Sequence, residues 1–77
     1  MKLNMYPKAN KIYQHYKGNL YKVLGVAKHS ETLEELVIYE PQYKSDSKYW
    51  VRPLKMFMEK VELNGQKVPR FKLVKQL

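Results

Sequence analysis

Apolar and polar positions alternate along this chain in short runs typical of β-strands separated by turns. Residues 11–16 alternate strictly, whereas residues 20–27 are apolar on both faces and contain Gly25, which indicates a bulge or a bend. Gly18 supplies the turn between these two runs. The same criteria predict further strands at residues 35–42, 48–52, 60–63 and 66–74.

One short segment has helical rather than strand periodicity. Leu54, Phe57 and Met58 have the i, i+3, i+4 spacing of a single helical turn, and Pro53 suits the first position of that turn. The pair Asn64-Gly65, between two strand-like runs, is the strongest hairpin signal in the sequence. A one-turn helix is therefore predicted just before the last hairpin.

These elements predict an all-β fold, because strands so short must close on one another to bury a core. The simplest arrangement is a small five-stranded SH3-like barrel with a single short helical turn before the last hairpin. An OB-like barrel is the alternative, although it usually has a longer helix. We predict a flexible lead-in at residues 1–10, the barrel domain at residues 11–74 and a tail at residues 75–77.

Length and cysteine content narrow the class of protein. The chain has 77 residues and no cysteine, so neither disulfides nor thiolate metal sites stabilise it. We expect a cytoplasmic protein that is a monomer or a weak homodimer. We also expect no signal peptide and no association with a membrane, since no apolar run approaches the length of a membrane span.

Charge points towards an anionic partner. Fifteen lysines and arginines against seven acids give a net charge of +8, and aromatic residues make up 13% of the chain. Tyrosines recur beside lysines, a combination that suits base stacking with phosphate contacts, although tyrosine is also common in strands and lysine favours solubility. The predicted nucleic-acid contacts are Lys17, Tyr21, Lys22, Lys28 and Lys48.

The segment 28–35 carries more chemistry than a connector needs. It contains His29, Ser30 and Glu31 and lies between two apolar strand-like runs. We therefore predict a ligand-binding site there, completed by side chains from the following strands. The predicted ligand-binding residues are His29, Ser30, Glu31, Tyr39, Trp50 and Arg52.

Two interpretations of Arg52 follow from its being one of only two arginines. Arginine makes planar bidentate contacts with anions and also pairs with buried carboxylates. Arg52 either forms a structural bridge with Glu31 or Glu35, or lines an anion pocket with His29 and Ser30. Strand parity places Trp50 and Arg52 on one face and Val51 on the other, and either face could be the one that packs on the core. We expect a half-exposed tryptophan in a groove.

Metal and catalytic sites have weaker support in the sequence. His15, His29 and Glu31 are a sparse set of metal ligands, and we assign neither a metal site nor a cofactor. Ser30 and His29 are adjacent but point apart at a strand end, so they do not make a nucleophile and its base. We assign no catalytic residue and expect no enzymatic activity.

From Lys11 to Phe71 the chain resembles a bacterial family, the domain of unknown function 1653 (DUF1653). The resemblance is carried by residues 12–27 and 28–39, by Trp50-Val51-Arg52-Pro53-Leu54 with Met56-Phe57, and by Val68-Pro69-Arg70-Phe71. It implies a small SH3-like barrel, in agreement with the strand pattern, and it implies no activity.

Three functional hypotheses remain. The first is a non-enzymatic binding module for RNA or DNA, which uses a basic and aromatic face and predicts an affinity that falls steeply with salt. The alternatives are a pocket for a small anionic, nucleotide-like ligand centred on His29, Glu31 and Arg52, and a protein–protein adaptor that holds an extended segment in an aromatic groove.

Overall fold

The computed structural model describes residues 6–74 and contains seven strands and one helical turn. The first half of the predicted lead-in, residues 1–5, and the predicted tail, residues 75–77, lie outside the described residues. No helix in the described range is long and apolar enough to span a membrane. The elements are β1 (Ile12–His15), β2 (Leu20–Lys28), β3 (Glu35–Pro41), β4 (Trp50–Pro53), α1 (Leu54–Phe57), β5 (Lys60–Leu63), β6 (Gln66–Pro69) and β7 (Phe71–Leu73).

Five of the strands form one antiparallel sheet in the order β4-β3-β2-β1-β7. Gly18, at φ 113°, makes the turn between β1 and β2, a backbone conformation that favours glycine. The register of β2 against β3 shifts between Val23 and Gly25, which confirms the bulge predicted at this glycine. Beyond the bulge, Val26 pairs with Val37 and packs against the core.

The core is small and mainly aromatic. Alternation along β3 turns Val37 and Tyr39 inward, and Val23 on β2 pairs with Tyr39 on the same face. The helical turn α1 adds Phe57, which is almost completely buried, and β7 adds Phe71. The buried hydrophobic residues among those described are Tyr13, Val23, Val37, Tyr39, Phe57 and Phe71.

The predicted closed SH3-like barrel is not formed by residues 6–74. Strands β4 and β7 lie at opposite edges of the five-stranded sheet, and β5 and β6 form a separate two-stranded sheet. The sheet is nevertheless curled. The side chains of Arg52 on β4 and Phe71 on β7 meet across its inner face, although their strands lie at opposite edges. The all-β prediction is confirmed, whereas the count of five strands was too low.

One of the seven strands results from a break in the predicted final strand, because residues 66–74 form both β6 and β7. Pro69 has no N–H to donate and ends β6, and Arg70 then leaves the ladder. The Arg70 N–H donates to the Glu59 carbonyl, and its own carbonyl accepts from the Tyr16 N–H. The chain therefore passes from the hairpin into the large sheet, where β7 pairs with β1.

The predicted helical turn and the predicted hairpin are both formed. Helix α1 begins at Leu54, so Pro53, which was predicted at the first helical position, instead precedes the helix as its N-cap residue, with φ −52° and ψ 137°. Asn64 and Gly65 have φ angles of 53° and 80°, the left-handed pair that a two-residue hairpin turn requires, and they join β5 to β6.

The segment 6–10 contacts the sheet at several points. The Asn10 N–H donates to the Val23 carbonyl, and the Lys8 N–H donates to the hydroxyl of the buried Tyr13. The Tyr6 hydroxyl donates to the Glu35 carboxylate at 2.7 Å. These bonds lay this part of the chain across β1, β2 and β3.

Candidate functional site

In the loop between β2 and β3, polar side chains accept hydrogen bonds from the backbone of the loop itself. The Nδ1 atom of His29 accepts hydrogen bonds from the N–H groups of Glu31 and Thr32, at 3.1 and 3.3 Å. The Thr32 hydroxyl accepts from the Glu34 N–H. Side chains that satisfy nearby backbone donors are typical of tight turns, so the presence of His29 and Thr32 in this loop is explained by its conformation.

Leu33 is the strained position of this loop. Its φ is 63°, a left-handed conformation that costs a branched residue about 1–2 kcal/mol, and its side chain is 65% exposed. Replacing Leu33 with asparagine is therefore expected to raise the free energy of unfolding, by about 0.5–1 kcal/mol, since asparagine tolerates this region. Urea denaturation followed by circular dichroism measures the change, and a loss of stability would show that the leucine side chain makes a stabilising contact.

The sequence-predicted site residues do not converge on one point. His29, Ser30 and Glu31 are exposed at the tip of the β2–β3 hairpin, beyond the pair Lys28–Glu35. Arg52 instead lies on the edge strand β4, where it pairs with Val37. No group of three acidic, histidine or cysteine side chains within residues 6–74 is placed to hold a metal ion, so His15, His29 and Glu31 do not form a triad.

Arg52 lies on the inner face of the sheet, half-buried among aromatic rings. Its Nε–H donates to the Tyr39 hydroxyl at 3.2 Å, and its guanidinium carbon is 5.4 Å from the centre of the Phe71 ring. The first contact fixes the direction of the guanidinium, and the second is a cation–π interaction. Arginine is thus held in a defined orientation at the inner face.

Arg52 does not form the structural bridge that was one of its two interpretations. The one ion pair among residues 6–74 joins the other arginine, Arg70, to Glu59, with 3.0 Å between Nη2 and Oε1. Arg70 also donates to the Met56 carbonyl, so its role is to tie β6 and β7 to α1. The terminal nitrogens of Arg52 have no hydrogen-bond partner in the described part of the chain.

Phe71 is the centre of the surrounding ring cluster. Phe57 stacks on it with a centroid distance of 4.0 Å and an interplanar angle of 4°. Three other rings approach Phe71 edge-on, His15 at 5.0 Å, Tyr39 at 5.5 Å and Tyr21 at 5.8 Å. We refer to the following side chains together as the Arg52 cluster: His15, Tyr21, Tyr39, Arg52 and Phe71.

The cluster is positively charged at neutral pH. Burial, followed by the nearby charges of Arg52, Arg70 and Lys17, lowers the pKa of His15. Its Nδ1 accepts the Lys17 N–H at 3.2 Å, so the neutral ring carries its proton on Nε2. Burial and a hydrogen bond to the Tyr43 hydroxyl raise the pKa of Tyr21, so the Tyr21 phenol stays uncharged at neutral pH.

His15 makes stability depend on pH. Because its pKa in the folded protein is lower than the ordinary value near 6.5, the unfolded chain binds its proton more readily. The stabilisation is complete above about pH 6.5 and is lost as the pH falls through the folded-state pKa. We expect the melting temperature to fall from pH 8 to about pH 5.5, and to fall less in His15→Gln. Identical pH profiles for the two proteins would contradict this prediction.

Exposed aromatic rings adjoin the cluster. Trp50 pairs with the buried Tyr39 and therefore shares its face, yet the indole is 41% exposed at the edge of the sheet. The predicted half-exposed tryptophan on the same face as Arg52 is confirmed, and Val51 points away from the core. Tyr43, also exposed, meets Tyr21 with 2.9 Å between their hydroxyl oxygens.

The five predicted nucleic-acid contacts are spread over both faces of the sheet. Tyr21 belongs to the Arg52 cluster, whereas Lys22 pairs with Glu40 on the opposite face. Lys28 is exposed at the end of β2, and Lys17 and Lys48 lie beside the Tyr16 and Tyr49 rings, respectively. These contacts stay predictions, but one continuous surface does not contain all five residues.

A concave surface separate from the Arg52 cluster lies on the other side of His15. It is an open, mostly apolar cleft of about 360 Å³ between the β5–β6 hairpin and the β1–β7 edge of the sheet. His15 is the residue that belongs both to this cleft and to the Arg52 cluster. The cleft is lined by Gln14, His15, Tyr16, Gly18, Leu63, Val68, Pro69 and Lys72.

Sequence reasoning missed the two members of the cluster that are furthest apart in the chain. His15 was considered only as a weak metal ligand, and Phe71 was assigned no role. The pairing of His15 with Phe71 across β1 and β7 brings both to the inner face. The alternation of apolar and polar residues shows which side chains of one strand share a face, but it does not show which strands pair. No local signal therefore identified these two residues.

Comparisons with known proteins identify the family. A crystal structure of a DUF1653 protein from Bordetella bronchiseptica matches the fold with a TM-score of 0.81 and 32% sequence identity, over 91% of each chain. No curated protein matches this sequence. The model of the family described as "Protein of unknown function (DUF1653)" matches residues 11–73, and the chain therefore belongs to the DUF1653 family.

Proposed function

We propose that this domain is a non-enzymatic binding module for single-stranded nucleic acid, RNA or DNA, and that Arg52 is its central contact. The observation that carries the proposal is the state of this guanidinium. It is half-buried and oriented by Tyr39 and Phe71, and within residues 6–74 it has no carboxylate partner. An arginine held in this way presents donors with the geometry that phosphate accepts.

The rings beside Arg52 favour nucleic acid over a simple anion. Trp50 and Tyr43 are each 41% exposed and adjoin the Arg52 cluster. Exposed rings beside a cation allow a base to stack while its phosphate is bound, and such stacking requires unpaired bases. The net charge of +8 would speed encounter with a polyanion, and the lack of cysteine fits a cytoplasmic partner.

The alternative hypothesis, a pocket for a small anionic ligand, now involves His15 rather than His29. His29 and Glu31 lie at the hairpin tip, whereas His15 contacts the same Phe71 ring as Arg52. An anionic site at Arg52 therefore uses His15 as its second basic group. This arrangement supports binding of a nucleotide-like anion by the same residues that would bind an oligonucleotide.

The experiment that tests the proposal is binding of a labelled random-sequence RNA pool, measured by fluorescence anisotropy at about 50 and about 200 mM salt. We expect binding at the lower concentration and a fall in affinity of at least about tenfold at the higher one, because phosphate contacts release counterions. A single-stranded DNA pool tests whether the sugar matters. Failure of both pools to bind at low salt would refute the proposal and leave the basic surface as a feature of solubility.

A further inference from the structure

We propose that the Arg52 cluster binds a terminal phosphate group, a phosphomonoester, and that His15 is its second contact. This inference rests on the proposed function and specifies its ligand. The two basic side chains share one ring, since His15 lies edge-on to Phe71 at 5.0 Å and the Arg52 guanidinium is 5.4 Å from the same centroid. Both belong to the inner face, because His15 pairs with Phe71 and Arg52 pairs with the buried Val37.

Both side chains have donors available for a ligand. The Nδ1 of His15 is occupied by the Lys17 N–H, so Nε2 carries the proton. The Arg52 Nε–H is occupied by the Tyr39 hydroxyl, so the terminal nitrogens carry the remaining donors. Neither set has a hydrogen-bond partner within residues 6–74.

The charges around His15 are all positive. Arg52 from β4, Arg70 from the β6–β7 junction and Lys17 from the β1–β2 turn each disfavour its protonation. Lys72 lines the cleft on its other side, and the Glu59 carboxylate is paired with Arg70. A dianion placed between His15 and Arg52 would reverse this balance and would favour a proton on the imidazole.

A phosphomonoester suits this site better than an internal phosphodiester. It carries a charge of about −1.5 to −2 at neutral pH and three free acceptor oxygens, enough to accept from both side chains. An internal diester has one negative charge and must continue as a chain on both sides. Arg52 is half-buried and covered by Tyr39 and Phe71. This favours a phosphate at the end of a ligand over a phosphate that continues as a chain on both sides.

The test compares oligonucleotides of one sequence that carry a phosphate at the 5′ end, at the 3′ end or at neither end. A fourth oligonucleotide, one nucleotide longer and with free hydroxyl ends, supplies an additional charge without a monoester. We expect one phosphorylated end to raise affinity by about tenfold over both unphosphorylated controls, and by more at about pH 6.5 than at about pH 8.

His15→Gln is expected to weaken binding of the phosphorylated oligonucleotide more than binding of the unphosphorylated controls, so that the preference for the phosphorylated end is lost. Lys60→Ala, an exposed hairpin position, is the matched control and should retain the preference. Equal affinity for phosphorylated and unphosphorylated ends would overturn the inference while leaving nucleic-acid binding intact. Absence of binding to all four oligonucleotides would overturn the proposed function and the inference with it.

Discussion

Replacing Phe57 with alanine is expected to lower the free energy of unfolding by about 3–5 kcal/mol. The side chain is 1% exposed and stacks on Phe71 at 4.0 Å, and it also meets the rings of Tyr13 and Tyr39, each at 5.7 Å. The truncation removes the apolar area of a full ring and leaves a cavity beneath Phe71, which these neighbours cannot fill without moving. Urea denaturation followed by circular dichroism measures the loss.

Met56→Ala is the matched control for this change. Met56 lies on the same helical turn but is 43% exposed, so its truncation should cost less than about 1 kcal/mol. A loss below about 1 kcal/mol for Phe57→Ala would contradict the assignment of Phe57 to the centre of the core. The comparison separates the loss of core packing from any effect of alanine on the helical turn itself.

Replacing Arg52 with alanine is expected to weaken binding of single-stranded nucleic acid by about 10- to 100-fold, the effect of losing charge-assisted hydrogen bonds. Arg52→Lys retains the charge but loses the planar guanidinium and the bond to the Tyr39 hydroxyl, so an intermediate affinity is expected. Fluorescence anisotropy at low salt measures both variants. A stability measurement on each variant accompanies it, because Arg52 also packs on Phe71.

Lys60→Ala removes the same charge at an exposed position on the separate hairpin. We expect it to weaken binding only slightly, through the general field of the protein. Equal losses for Arg52→Ala and Lys60→Ala would show that nucleic acid is held by diffuse charge rather than by the Arg52 cluster. If Arg52→Ala and Arg52→Lys bind nucleic acid with the affinity of the unsubstituted protein, Arg52 is not part of the interface.

Local structure could be predicted from the sequence because short-range rules determine it. Asn64-Gly65 has the left-handed backbone that its hairpin needs, Gly25 marks the bulge, and Pro53 precedes the helical turn. Each of these features depends on residues that are neighbours in the chain. The strands likewise begin and end within a few residues of the predicted positions.

Closure of the sheet could not be predicted in the same way. Whether β4 and β7 pair depends on contacts between distant parts of the chain, which alternation does not encode. Pro69 lies inside the strand predicted at residues 66–74, but it ends β6 and lets β7 pair with β1. For the same reason, the contact of His15 with Phe71 could not be predicted, and these are two of the five members of the Arg52 cluster.

The β2–β3 loop shows the opposite difficulty. His29, Ser30 and Glu31 are residue types that bind ligands, and their density suggested a site. His29 and Thr32 instead accept hydrogen bonds from backbone N–H groups of a loop in which Leu33 has a left-handed conformation. Residue type alone does not distinguish a side chain that binds a ligand from one that stabilises its own turn.

The most direct test of the central role of Arg52 is a nitrogen-15 NMR titration of the protein with a single-stranded oligonucleotide. We predict that the Arg52 Nε–H and Trp50 indole signals shift first, together with the backbone signals of His15 and Phe71. Shifts confined to the opposite face of the sheet, around Lys22, with the Arg52 and Trp50 signals unchanged, would contradict the proposed site.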